Sequence, residues 1–196
     1  MMNASVVLRR LGPGDAEKYR SILEHLSEED RYYRFFRHVD HFEGEVVDRF
    51  VEIRSDAVGV IAERDGIPLG AAHAFFEGPG IAELSIVVSR DAQGRGIGKL
   101  LFVRLLAALA AGGCDTLIAR SLDGNEKFAA LARSVGMSVV SHEGGVTTWS
   151  RTIGTYAVRE PQRRAAALRA IRPRPRLVAA TAEPQVVTPL AARASA

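Results

Sequence analysis

The chain has 196 residues, 47% of them apolar, a single cysteine and a formal net charge of +3. That is room for one ordinary domain with a real core plus an extension. One cysteine, Cys114, excludes an internal disulfide and a cysteine-based zinc site. No run of about eighteen apolar residues and no charged-then-apolar leader occurs, which predicts a cytoplasmic protein with no membrane partner. The charge is unevenly placed. From Arg159 onward eight arginines face two glutamates, so the first 158 residues carry a net charge of −3. The basic character therefore belongs to residues 159–196, rich in Arg, Pro and Ala. They read as a mostly disordered tail, with a short helical possibility over Ala165–Ile171. A nucleic-acid partner is not expected. One folded domain is expected over 1–158.

In chain order, Val6–Arg9 is a short strand candidate, ended by the turn residues Gly12, Pro13 and Gly14. Asp15 starts or caps a helix to about Leu26, with Tyr19, Ile22, Leu23 and Leu26 on one face. Ser27 is a second N-cap, and a short aromatic helix follows over Arg31–Phe36. Glu45–Ile53 gives another helix. Ala57–Glu63 and Pro68–Phe76 read as strands joined by an Asp65-Gly66 hairpin turn. The apolar, partly alternating run Leu84–Ser89 is the central strand. A helix carrying Leu100, Leu101, Leu105 and Leu109 at helical spacing ends near Gly112-Gly113. Thr116–Ser121 is the next strand. Asp123 or Asn125 caps a helix whose face is Phe128, Leu131, Ala132 and Val135. Val139-Val140 and Val146–Ile153 supply two final strands around Gly144-Gly145. This order predicts an α+β fold with a mixed sheet built around one βαβ crossover.

Between the central strand and its helix lies Gln93-Gly94-Arg95-Gly96-Ile97-Gly98. Glycines at every second position permit torsions and close approaches that a β-carbon hinders. The first amides of a helix lack intrahelical acceptors, and the helix dipole is positive there, so the stretch suits a pyrophosphate. A Walker A loop is excluded because no Gly-Lys-Ser/Thr follows. The dinucleotide fingerprint is excluded because one residue, not two, separates Gly96 from Gly98. The stretch resembles the acetyl-CoA loop of the GNAT N-acetyltransferases, Arg/Gln-x-x-Gly-x-Gly/Ala, matched by Gln93, Gly96 and Gly98. The predicted element order is similar to that family's fold from about Ser5 to Thr155. The resemblance implies a mostly antiparallel sheet of six to seven strands, about four flanking helices, and a cofactor cleft where the fourth and fifth strands splay. The segment Leu26–Arg37 also resembles the Leu-Ser-x-Glu-x-Arg-Tyr-x-Arg-Phe-Phe stretch of bacterial protein lysine acetyltransferases, whose first two helices wall the acceptor side.

Acetyl transfer from a thioester to an amine needs a fixed thioester, a donor for the developing oxyanion, and a route for the amine proton. The resemblance assigns the pyrophosphate to amides of Gln93, Gly94, Arg95, Gly96, Ile97 and Gly98. It assigns pantetheine to the main chain of Ile86, Val87 and Val88, with the Val88 amide facing the thioester oxygen. Arg90, Arg95 and Lys99 add attraction for phosphates or are ordinary surface charges. Asn125 matches an asparagine that reaches the cofactor in many members; a plain helix cap serves equally well. Ala82-Glu83-Leu84 is similar to the strand start in which a glutamate is general base, so Glu83 is the expected base. A glutamate at a sheet edge paired with an arginine is the competing reading. Ala132 stands where many members have a tyrosine acid. His73 either faces the cleft or is a satisfied core histidine. His38 and His41 lack company at metal-ligand spacing, and no metal is expected.

The resemblance thus implies an acetyl-CoA-dependent N-acetyltransferase acting by direct transfer on a primary amine, a protein lysine or a small molecule, as a monomer or homodimer. A non-catalytic acyl-CoA-binding module shares the loop and has no use for Glu83.

Overall fold

The computed structural model describes residues 5–42 and 44–154. The tail expected over 159–196, with its Ala165–Ile171 helix, lies outside the described residues, so the predicted domain boundary does too. Among the described residues seven strands form one sheet: β1 (Val7–Arg10), β2 (Ala57–Arg64), β3 (Ile67–Gly78), β4 (Ile81–Val88), β5 (Thr116–Leu122), β6 (Ser138–Glu143) and β7 (Val146–Thr152). Five α-helices among the same residues accompany them: α1 (Ala16–Glu24), α2 (Glu28–Phe35), α3 (Gly44–Val51), α4 (Ile97–Ala111) and α5 (Glu126–Ser134). The sheet order is β1-β2-β3-β4-β5-β7-β6. Only β4 and β5 run parallel, joined by the α4 crossover. The expected mixed, mostly antiparallel sheet is present, and the five helices read in chain order, Glu45–Ile53 among them, are one more than the about four that the resemblance implied.

Strand alternation sends successive side chains to opposite faces. On one face Val60, Ala62, Ala72, Ala82, Leu84, Leu117 and Ala119 pack with Leu101, Phe102, Leu105 and Leu109 of α4 and with Ala132 of α5. On the other, Ile61, Ala71 and Val87 pack with Tyr19, Ile22, Leu23, Val47 and Phe50 of α1 and α3. Fully burying each large apolar side chain contributes about 1.5–3 kcal/mol, so both layers are needed to hold the sheet. Arg9 ties the N-terminal end together, reaching Asp15 at 2.6 and 2.8 Å and Glu63 at 2.7 Å. Cys114 is buried and free.

The helix bounds differ from expectation at one informative place. α4 begins at Ile97 with Gly96 as its N-cap, so Gly98 lies inside the first turn. Gly94 and Gly96 have φ of +70° and +78°, the left-handed region that glycine adopts without strain. Gly98 has no such need. A β-carbon there would stand 3.3 Å from Leu131 Cδ2, so this glycine serves the packing of α4 on α5.

Candidate active site

The central strand has two different borders. With β3 it is paired from Gly70↔Val88 to Gly78↔Ile81, with one bulge between Phe76 and Gly78. With β5 it is paired only at Ile81↔Thr116, Ala82↔Leu117 and Glu83↔Ile118. From Leu84 and Ala119 onward the two parallel strands separate, and their C-terminal ends form the arms of a V. No β5 residue pairs with Ile86, Val87 or Val88.

Glu83 occupies the vertex. It is the last β4 residue paired with β5, and alternation places it on the face that carries Val87 and helices α1 and α3. Its Oε2 forms an ion pair with Arg120 Nη1 at 2.6 Å, with the two side chains 23% and 16% exposed. The competing sequence reading required an arginine partner, and it is there. The sheet edge that reading assumed is absent, since Glu83 lies on the middle strand of seven. Beyond the vertex Ser85 Oγ and Arg120 Nη2 are buried with no hydrogen-bond partner among the described residues. Leaving such groups unpaired costs about 1–3 kcal/mol each, so they mark a place where a polar ligand is at home.

At the open end stands the glycine loop. A β-carbon on Gly94 or Gly96 would have nothing within 4 Å, so the loop faces open space rather than packed protein. Gly96 offers no side-chain cap to α4, and the first intrahelical bond runs from Leu100 N to Gly96 O. The amides of Ile97, Gly98 and Lys99 precede that bond and point out of the helix end. Exposed Arg95 and Lys99 add positive charge. Backbone donors, helix dipole and open room together fit a diphosphate.

The remaining expected residues divide. Gln93 does not reach into the loop's open side; its Nε2 donates to Asp30 Oδ2 at 3.0 Å and to Val88 O at 3.2 Å. Asn125 caps α5, its Oδ1 accepting from Phe128 N at 3.0 Å, which leaves its Nδ2 for other contacts. His73 is a core residue. It is 2% exposed, its Nε2–H donates to Phe50 O at 2.9 Å, and Tyr19, Phe50 and Phe75 surround its ring. Burial, then the nearby Arg34 charge, lowers its pKa to about 3. Ala132 is buried and supplies no acid. Among the described residues no group of three or more His, Cys, Asp and Glu is placed to hold a metal, and no helix is long and apolar enough to cross a membrane.

Two participants escaped the sequence. Arg120 was hidden because local patterning does not give the β4–β5 register. Asp30 lies 63 residues from Gln93, and nothing local in the chain signals their contact.

A GNAT acetyltransferase family model matches residues 19–137. The GNAT domain of PAT from S. lividans superposes with a TM-score of 0.69 at 27% identity, covering 74% of this chain and 89% of that one. PaiA N-acetyltransferase from Thermoplasma acidophilum, in complex with coenzyme A, gives 0.63 at 16% identity over 76% and 99%. Spermidine N-acetyltransferase from Vibrio cholerae, with CoA and spermine, gives 0.63 at 15% identity over 75% and 95%. The splayed fold defines an acyltransferase. The chain belongs to the GNAT acetyltransferase family.

Proposed function

We propose that the protein transfers the acetyl group of acetyl-CoA directly to a primary amine, with Glu83 as the general base. The observation that carries this reading is the carboxylate at the vertex of the β4–β5 gap, with an open glycine loop at the gap's far end. Acetyl-CoA supplies the acyl group as an activated thioester. Amides of residues 94–98 hold its diphosphate, and the main chain of Ile86–Val88 receives the pantetheine as an added strand, with the Val88 amide donating to the thioester oxygen.

An alkyl amine with a pKa of about 10.4 arrives as ammonium, so it must shed a proton before it attacks. Glu83 attracts the cation and accepts that proton, directly or through a water molecule. The amine nitrogen bonds to the carbonyl carbon, the C–S bond breaks with its electron pair going to sulfur, and the second proton of the nitrogen passes to the departing thiolate or to water, leaving a neutral amide. A thiolate is a good leaving group, so the missing tyrosine at position 132 costs little. Arg120 fixes the Glu83 side chain. The resemblance of Leu26–Arg37 to the acceptor-side segment of protein lysine acetyltransferases favours a protein lysine over a small-molecule amine, and the 27% identity with S. lividans PAT accords with this.

The test is free-thiol release from acetyl-CoA across a panel of peptides, folded proteins and small amines, comparing wild type with Glu83→Gln. Turnover on one acceptor class that collapses in the variant is the expected result. Turnover that survives the substitution unchanged refutes the assignment of the base.

A further inference from the structure

Asp30 stands in the first turn of α2, its amide donating to Ser27 Oγ at 3.1 Å and its side chain 12% exposed. Each carboxylate oxygen is taken by a different arm of the V. Oδ2 accepts from Gln93 Nε2 at 3.0 Å, and Gln93 follows β4. Oδ1 accepts from Lys127 Nζ at 2.9 Å, and Lys127 follows β5. The two donors therefore reach one carboxylate from opposite sides of the gap, at the end where the strands have parted. Three residues along the same helix face, Tyr33 Oη sits where a β-carbon on Gly124 would be 3.1 Å away. So α2 lies against the β5–α5 turn at a second point.

These contacts outweigh the cost of covering the charge. Partial burial pushes the Asp30 carboxyl upward, and hydrogen bonds from Lys127, Gln93 and Ser27 bring it below the ordinary carboxylate range. Beyond Glu83↔Ile118 the arms are also joined where Gly98 of α4 packs on Leu131 of α5, so Asp30 adds a polar link to that apolar one. Gln93 also holds Val88 O, so the clasp bears on the end of β4 itself.

We propose that Asp30 is a positioning residue that clasps the two arms and sets the width of the gap into which the donor's pantetheine fits. The inference rests on the reading of that gap as the acetyl-CoA site. The Lys127 contact is the weaker half, because its side chain is 61% exposed and solvent screens it. The Gln93 contact carries more of the effect.

The experiment measures CoA affinity by calorimetry, KM for acetyl-CoA, kcat and thermal midpoint for wild type, Asp30→Asn, Asp30→Ala, Lys127→Met and the double variant Asp30→Ala/Lys127→Met. Expected is roughly a tenfold rise in Kd and KM for Asp30→Ala, about threefold for Lys127→Met, and a double variant no worse than Asp30→Ala. Lys127→Met is at an exposed position and keeps the test alive if Asp30→Ala fails to fold. A merely structural Asp30 would lower the thermal midpoint and leave Kd within twofold of wild type, which overturns the clasp. Tighter CoA binding in the variants overturns it too, since α2 would then obstruct the gap. Additive effects sink the shared contact. Failure of wild type itself to bind CoA refutes the reading of the gap, and the clasp falls with it.

Discussion

β4 is bordered by β3 along its whole length and by β5 for three residues. The same eight residues are thus scaffold on one edge and receptor on the other. On the β3 side the ladder runs the length of β4 with one bulge between Phe76 and Gly78, and most residues facing it are small or apolar, His73 apart. On the β5 side the ladder stops at a carboxylate, and the groups beyond it are Ser85, Arg120 and main chain without a β5 partner. A backbone whose polar groups are all satisfied gives rigidity. One whose groups are left open beside a rigid ladder gives a binding edge already in position.

The largest expected effect breaks the receptor side alone. Glu83→Gln lowers kcat by about 10²–10⁴-fold while leaving CoA affinity within twofold, as a group acting on the amine proton should. Rapid-mixing or steady-state thiol release beside calorimetry checks both halves. Next comes the scaffold side. A β-carbon on Gly70 would stand 2.7 Å from Val87 O and 3.1 Å from Val88 Cα, both backbone atoms that have no freedom to step aside. Gly70→Ala is expected to cost about 1–3 kcal/mol in urea unfolding. An unchanged midpoint would mean that the β3–β4 border is not the rigid one.

A third effect concerns the buried histidine behind that border. His73 titrates near 3 in the fold and about 6.5 in the unfolded chain. Its folded pKa is depressed, so the unfolded state binds the extra proton. Its contribution to stability is complete above about 6.5 and is lost as pH falls toward 3. Within that window wild type should lose about 1.4 kcal/mol per pH unit through this group. His73→Asn, which keeps a donor for Phe50 O, should reduce the slope by about one proton. Of the groups around it, Tyr19 has its pKa pushed up by burial, away from this range. Equal slopes in the two proteins would contradict the assignment.

The smallest effect returns to the open arm. Asn125→Ala removes the α5 cap and should cost about 1 kcal/mol in stability. If CoA affinity stays put, the residue is a cap alone; if it drops, the Asn125 amide also serves the ligand.

Much of this site was legible in the chain because its pieces are local. Alternation identified β4, glycine chemistry identified the loop, and leucine spacing identified α4, all within about thirty residues. The crossover followed from strand, helix and strand in succession. What stayed hidden depends on distant partners. Glu83 stood out as a carboxylate in a strand, but its Arg120 neighbour emerges only from the parallel register. The Gln93 side chain turns to Asp30, a contact set by the position of α2. His73 shares a face with Phe75, and whether that face is cleft or core is decided by Phe50 on α3. Gly98 matched a binding motif while its packing against Leu131 needed the position of α5.

The measurement that bears most directly on the two-bordered strand is amide hydrogen exchange with and without CoA. The account predicts that CoA slows exchange at residues 84–88 of β4 and 94–98 of the loop, and leaves the β2–β3 hairpin unchanged. Protection confined to surfaces away from the β4–β5 gap would contradict it.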